Sequence, residues 1–482
     1  MTPILLNNKV TEPSHILVLT EKFRNEFNLP EKVTDYFEAQ FKKDEAAGTK
    51  GKKGTLSYNY IGKTILIVFV DKSSDKNKLH EQLRKHGAAM ADAVNHQKGK
   101  EIYIYNQTRS PNLSLYVAEG IALANYQFIR HQSKSVAKQN SLQTVILANT
   151  KINAAEVHAL NCVCEATYKA RDLVNEPVNV LNAKALAGAF VQMGKEAGFR
   201  VEVLNKEKIK KLKMGGLLAV NAGSVDEPSF TVMEYKPRGA KNKKPYVLVG
   251  KGVVYDTGGL SLKPTPNSMD LMKCDMAGGA AVGAALYAIA KANLKVHVIG
   301  LVPATDNRPG FNAFAPGDII TMMDGSTVEM LNSDAEGRMI LADALHYAKR
   351  FAPELTIDIA TLTGAAAAAI GSSGIVGMGN ASAKQKQALH KSSFHVHERI
   401  AEFPFWEDYD ELLKSDIADQ KNLGGPYAGA ITAGRFLVKY TNYPYYHLDI
   451  AGPAFLTTKD SYRGKGGTGV GVRLFFDLIS NL

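Results

Sequence analysis

Short runs of β-branched and aromatic residues set the first pattern in this chain. Residues 64–70 (TILIVFV) and 101–105 (EIYIY) have the length and composition of strands. Between them Leu79, Leu83, Met90 and Val94 recur at helical spacing, which predicts an amphipathic helix over 78–94, with Gly87 as a weak point on the same stripe. Residues 114–131 carry a similar helical pattern. A longer one, 154–173, runs into NEPVN, where Pro177 makes continuation costly. Beyond it the periodicity switches repeatedly. RVEVL, a Lys-rich helix from Glu207, TVMEY, YVLVG, an Ala/Gly-rich helix over 277–292, VHVIGLV, a helix after Asp334 and TIDIATL succeed one another. Apolar strands separated by helices predict a mostly parallel central sheet covered by helices on both faces. The expected fold is therefore α/β. A smaller N-terminal α/β domain spans 1–150, and a larger C-terminal domain spans 151–482, entered through a linker helix at about 154–174.

Composition narrows the class without naming a chemistry. The 482 residues are 45% hydrophobic and 22% charged, ordinary for a folded protein and enough for several domains of roughly 150 residues. Residues 1–20 lack a basic stretch followed by an apolar run, so no secretory signal is expected. The longest charge-free segment, 359–383, is mostly Ala, Gly, Ser and Thr, too small-residued for a membrane span. Cys162, Cys164 and Cys274 supply neither a disulfide framework nor zinc spacing. A cytoplasmic protein is expected. The net charge of +11 is uneven, with 21 Lys and Arg against 14 Asp and Glu in residues 1–150 and 37 against 33 in the remainder. Lys42, Lys43, Lys50, Lys52 and Lys53 surround a Gly-containing tract that reads as an exposed loop. Such a loop is ordinarily solvated; nucleic-acid binding through it is the alternative function, although no helix-turn-helix or base-stacking motif accompanies it.

Three stretches are chemically unusual. VGKGVVYDTGGLSLK places Lys251 and Asp256 directly after the strand YVLVG, with Lys263 seven residues beyond Asp256. Ligands of open α/β sheets bind beyond the carboxyl ends of strands, so these side chains stand where a site is expected. MDLMKCDMAGGAAVGAAL puts Asp275 at a helix start, where a capping role would be unremarkable. NSDAEGRMILADAL carries Asp334 and Glu336 two residues apart ahead of another helix. Each acid alone reads as a cap or loop residue. Together Asp256, Asp275, Asp334 and Glu336 are four carboxylates near element ends of one sheet domain. Buried without cations they would repel, whereas a pair of divalent ions would hold them together. No HExxH helix and no G-x-S-x-G is present, which disfavours a single-zinc peptidase and a serine hydrolase. His395 and His397 (HVH) are expected to sit on a strand or loop without a metal role.

VGKGVVYDTGG, KCDMAGGAAV and above all NSDAEGRMILADAL resemble the leucyl aminopeptidase family of di-metal peptidases. The likeness covers roughly residues 150–482, including RDLVNEPVN, TLTGA, SDIADQKN, HLDIAGPAF and GKGGTGVGV. It implies two divalent metal ions, Zn or Mn with Co or Mg as alternatives, bound by Lys251, Asp256, Asp275, Asp334 and Glu336. In that pattern Asp256 and Glu336 bridge both ions, and a bound water becomes the nucleophile. Lys263 and Arg338 are the implied catalytic residues that do not ligate metal, with bicarbonate held by Arg338 and the backbone near Leu362 as proton shuttle. Thr361, Leu362, Gly364 and Ala451 are the implied substrate contacts, favouring an apolar, leucine-like first residue of a peptide. A homohexamer built as a dimer of trimers is also implied. This chain has one residue more than the family's usual spacing between Lys263 and the second aspartate. The DMAGGAA anchor assigns that ligand to Asp275 and not Asp270, with the extra residue expected to bulge the loop 265–268.

Overall fold

The computed structural model describes residues 1–7, 15–21, 35, 39, 55–60, 63–70, 75–148 and 150–482. The basic segment around Lys42–Lys53 lies outside the described residues. The chain divides into two compact units, Met1–Cys164 with Asp460–Gly464, and Glu165–Lys459 with Lys465–Leu482. The division falls inside the helix Ala154–Asn175, further along the chain than the join expected at about residue 150.

In the first unit, β1 (Ile4–Asn7), β2 (His15–Thr20), β3 (Thr55–Tyr60), β4 (Lys63–Phe69), β5 (Glu101–Asn106) and β6 (Thr144–Ala148) form one sheet in the order β1-β6-β5-β2-β4-β3. Every pair is parallel except β3–β4. The helix Lys76–His96 starts at Asp75, whose carboxylate accepts the Asn77 and Lys78 N–H groups, and its stripe buries Leu83, Met90 and Val94. Gly87 is no weak point. A Cβ there would lie 2.3 Å from the Val117 carbonyl, so the glycine lets the helix Leu113–Ala124 pack closely. That second helix stops well short of residue 131. Asn125 turns its side chain to Leu142 O and Thr2 Oγ1, and Gln127 serves the backbone of Lys138 and Asn140.

The second unit bears out the expected α/β class. Its strands include β7 (Arg200–Leu204), β8 (Ser229–Tyr235), β9 (Tyr246–Gly250), β10 (Gly252–Asp256), β11 (Val298–Asn307), β12 (Asp318–Thr321), β13 (Thr327–Met330), β14 (Leu355–Ala360), β15 (Ile375–Gly379), β16 (Ile400–Glu402), β17 (Gln420–Lys421) and β18 (Tyr445–Asp449). Nine strands make the main sheet, in the order β16-β15-β18-β14-β9-β11-β8-β7 with β10 on β11, while β12, β13 and β17 form a small sheet. At its centre β18, β14, β9 and β11 are mutually parallel; antiparallel pairs occur only toward the edges.

Alternation along β9 sorts the two faces. Val247 and Val249 enter one core with Met339, Ile340 and Leu341 of the helix Gly337–Ala348. Gly250 faces the helix Ala277–Lys291, and a Cβ on it would meet the Gly278 carbonyl at 2.5 Å. The Ala/Gly richness of that helix is therefore a demand of close helix–sheet packing. The Lys-rich segment forms the helix Lys206–Lys211, with Ile209 buried and Lys208, Lys210 and Lys211 exposed. His395 ends the helix Ala383–His395 and pairs with Asp477, so HVH straddles a helix end and not a strand. Among the described residues, no helix is long and apolar enough to cross a membrane.

Candidate active site

The parallel strands end on one edge, and the chemically unusual stretches continue directly from those ends. Lys251 comes immediately after β9, Asp256 closes β10 opposite Asn307 of β11, Thr361 succeeds β14 and Asp449 closes β18. Asp275 stands in the short helical turn Met269–Met276, and Asp334 and Glu336 precede the helix Gly337–Ala348. Neither Asp275 nor Glu336 caps a helix with its side chain. Both turn inward.

Lys251 Nζ lies 2.9 Å from Asp275 Oδ2 and 2.8 Å from Glu336 Oε1, and donates to the Thr361 carbonyl at 3.0 Å. Lys263 Nζ lies 3.0 Å from Asp256 Oδ2 and also pairs with Asp334 Oδ1. The other oxygen of Asp256 accepts the Gly258 N–H and the Asn307 amide, each at 2.8 Å. Asp256, Asp334 and Glu336 each offer an oxygen within 4.8 Å of the others. Lys251, Asp256, Asp275 and Glu336 are buried, and Asp334 half-buried. Asp270 is exposed and its carboxylate accepts a local N–H from Ser268; it is not among the acids that converge here.

Burial pushes Glu336 and Asp334 up from the usual carboxylate range, and repulsion from Asp256 adds to it. Asp275 is pushed up by burial against the pull of Lys251. Burial works to lower Lys251, but Asp275, Glu336 and Asp256 outweigh it and hold the amine above the ordinary lysine range. The same contest, with Asp256 and Asp334 dominant among the acids, raises Lys263. Asp275 Oδ2, Asp334 Oδ1 and Glu336 Oε1 are buried and, among the described residues, meet no hydrogen bond of good geometry; only lysine ammonium groups approach them as ion pairs. Carboxylate oxygens so crowded, held at present by two lysine ammonium groups, fit divalent cations. Close packing enforces the arrangement, because any side chain at Gly337 would come within 2.7 Å of Lys251 Nζ.

Arg338 is buried; its Nη1 donates to the Asn422 carbonyl at 2.8 Å, while its Nε has no hydrogen-bond partner among the described residues. Thr361 Oγ1 donates to Asp275 Oδ1 at 2.7 Å. Leu362 N–H and Ala451 N–H both donate to Asp449 Oδ1, and Gly364 opens the helix Gly364–Ile370 with open space where a Cβ would stand. Asn307, Asn422 and Asp449 are participants that sequence reasoning missed. The available signal was position: Asn307 and Asp449 are the last residues of their strands, at the carboxyl ends where ligands of such sheets bind.

Residues 168–476 match the catalytic domain of the cytosol aminopeptidase family. The chain belongs to that family. A probable cytosol aminopeptidase of Chlorobaculum tepidum is 45% identical over 388 residues, covering 78% of this chain and 76% of that one. Another from Clostridium perfringens is 37% identical over 99% of this chain and 98% of its own. Among solved structures, a mutant of tomato leucine aminopeptidase superposes with a TM-score of 0.86 at 27% identity, covering 100% of this chain and 97% of that one. The bottromycin maturation enzyme BotP in complex with Mn gives 0.83 at 28% identity, over 97% and 99%. As a member of the cytosol aminopeptidase family, the protein is an aminopeptidase, a hydrolase of a metal-dependent family.

Proposed function

We propose that this aminopeptidase removes an apolar, leucine-like N-terminal residue from peptides with the help of two divalent ions. The observation that carries this reading is the convergence of Asp256, Asp275, Asp334 and Glu336 on Lys251 and Lys263 at the carboxyl edge of the parallel strands. Lys251 and Asp275, with Asp256 and Glu336, would hold one ion; Asp334, with Asp256 and Glu336, would hold the other. When bound, such ions supply positive charge that anchors a free α-amine, polarises the scissile carbonyl and acidifies water. A lysine that ligates must be neutral, so a dication in this cavity has to reverse the balance that now keeps Lys251 an ammonium.

The protein's own residues do the rest. Lys263, held charged by its acidic neighbours, would stabilise negative charge growing on the carbonyl oxygen. Thr361, Leu362, Gly364 and Ala451 would border the first side chain. Arg338 would hold bicarbonate, a planar two-oxygen anion that matches a guanidinium fork and, when bound, offers a proton-shuttling group the side chains lack. Its unmatched Nε supports this. The Leu362 N–H already donates to Asp449, so other donors of the loop would have to complete that anion site. A homohexamer and a cytoplasmic location belong to the same reading, on the strength of the family resemblance.

The direct test uses peptides differing only at the amino terminus, assayed with Mn, Zn, Co or Mg. Leucyl dipeptides and leucinamide should be hydrolysed and their N-acetylated forms should not. Comparable cleavage of the acetylated forms would overturn the reading. For Arg338, replacement by Ala is expected to preserve metal content while lowering kcat by ~10²–10⁴-fold, the range of a lost general base. Depleting bicarbonate should slow the wild type and affect this variant much less. An equal bicarbonate response in the two proteins would reject the assignment.

A further inference from the structure

We infer that Asp449 is the positioning residue that sets the shape of the first-residue pocket, by tying together the two loops that border it; this rests on the aminopeptidase reading above. Asp449 ends β18, and Ala360 ends β14 directly opposite it in the parallel register. The loops that continue from these two ends carry Thr361, Leu362 and Gly364 on one side and Ala451 on the other. A single carboxylate spans the gap between them. Its Oδ1 accepts the Leu362 N–H and the Ala451 N–H, each at 3.1 Å, and its Oδ2 accepts the Thr363 hydroxyl at 2.7 Å. The Ile450 N–H donates to the Ala360 carbonyl at 2.8 Å, so backbone and side chain make the same junction.

Asp449 is 1% exposed, so no water replaces a donor that it gives up. Thr363 passes the restraint on, since its Oγ1 also accepts the Ala366 N–H and so caps the helix Gly364–Ile370. At its other end the loop is fixed to the acidic cluster, through Thr361 Oγ1 on Asp275 and the Thr361 carbonyl on Lys251. Loop 361–364 is thus held at both ends, by the metal-ligand candidates at residue 361 and by Asp449 at 362 and 363. The Asp449 carboxylate spends its hydrogen bonds on Leu362, Thr363 and Ala451 and not on the four-carboxylate cluster, while its charge also favours the Arg338 guanidinium; metal content therefore reports on the cluster apart from the pocket wall.

Asp449→Ala leaves two N–H groups and one hydroxyl without their acceptor. With metal content unchanged, kcat/KM for leucinamide should fall by ~10²-fold, mostly through KM. The preference for leucinamide over alaninamide, which only a shaped apolar wall sustains, should shrink by ~10-fold. Asp449→Asn should recover most of both. An amide keeps one oxygen for the two N–H groups and can donate to Thr363 Oγ1 in place of accepting from it. Thr363→Val removes the Oδ2 bond and the cap on the Ala366 N–H but leaves both Oδ1 bonds in place; it should shift selectivity in the same direction by ~3-fold, a readout that stands if the alanine variant does not fold. Wild-type selectivity in Asp449→Ala, or in Thr363→Val if that is the variant in hand, overturns the inference. So does an Asn variant as impaired as the Ala variant, because charge and not positioning would then be the property lost. A wild-type protein inactive on free aminoacyl amides would instead overturn the aminopeptidase reading, a separate result.

Discussion

Glu336→Gln is expected to lower kcat/KM by ~10²–10⁴-fold, the equivalent of the 3–5 kcal/mol lost when one partner of a buried ion pair is removed. Glu336 is 1% exposed and lies 2.8 Å from Lys251 Nζ. Glutamine has nearly the same shape, so the helix Gly337–Ala348 has no steric reason to move. What changes is charge. A neutral amide cannot balance two dications, and its NH2 group would present hydrogens where a cation needs an electron pair. Metal content should therefore drop together with rate, which distinguishes this variant from Arg338→Ala. Circular dichroism should match the wild type. Wild-type turnover with full metal content would show that Glu336 bridges nothing.

Exhaustive chelation is expected to abolish peptide hydrolysis, to below ~1% of the starting rate, with recovery on adding a divalent ion. Four carboxylates face two lysine ammonium groups in this cavity, and three of the four are pushed up by burial. Part of that strain has to be relieved by protons when cations are absent. The stripped protein should also unfold at lower temperature. An ion present at 100 times its Kd and bound only by the folded state adds about 2.7 kcal/mol of stability. Activity, metal content by atomic spectroscopy and Tm measured on the same samples decide the matter. Full activity in protein shown to be metal-free would end the two-ion reading.

Much of the architecture was legible in the order of residues. The β-branched runs became β4, β5, β9, β11 and β14 because burial on both faces of a parallel sheet selects those residues wherever the strand falls. The helix over 78–94 formed as Lys76–His96 for the same local reason, its apolar stripe. Where the sequence misled, the missing information was a partner. Gly87 read as a defect until Val117 of another helix was placed against it, and residues 125–131 kept a helical pattern that Asn125 and Gln127 abandoned for distant backbone groups.

The same division runs through the site. Lys251, Asp256, Asp275, Asp334 and Glu336 could be proposed from sequence, because acids at strand and helix ends, in motifs of a known family, already carry a chemical meaning. That Asp275 and Glu336 are ion-pair partners of Lys251 and not helix caps could not, since each acid is an equally good cap when viewed alone. Asn307, Asn422 and Asp449 were invisible for a related reason: each reaches residues at least 26 positions away, through hydrogen bonds that exist only once distant segments such as β10 and β11, or β14 and β18, lie side by side. Composition and periodicity along the chain determined which segments become strands, helices and acidic turns, because those choices depend on near neighbours. Which oxygen faces which nitrogen was decided by strand register and close glycine packing, and those are properties of the assembled sheet.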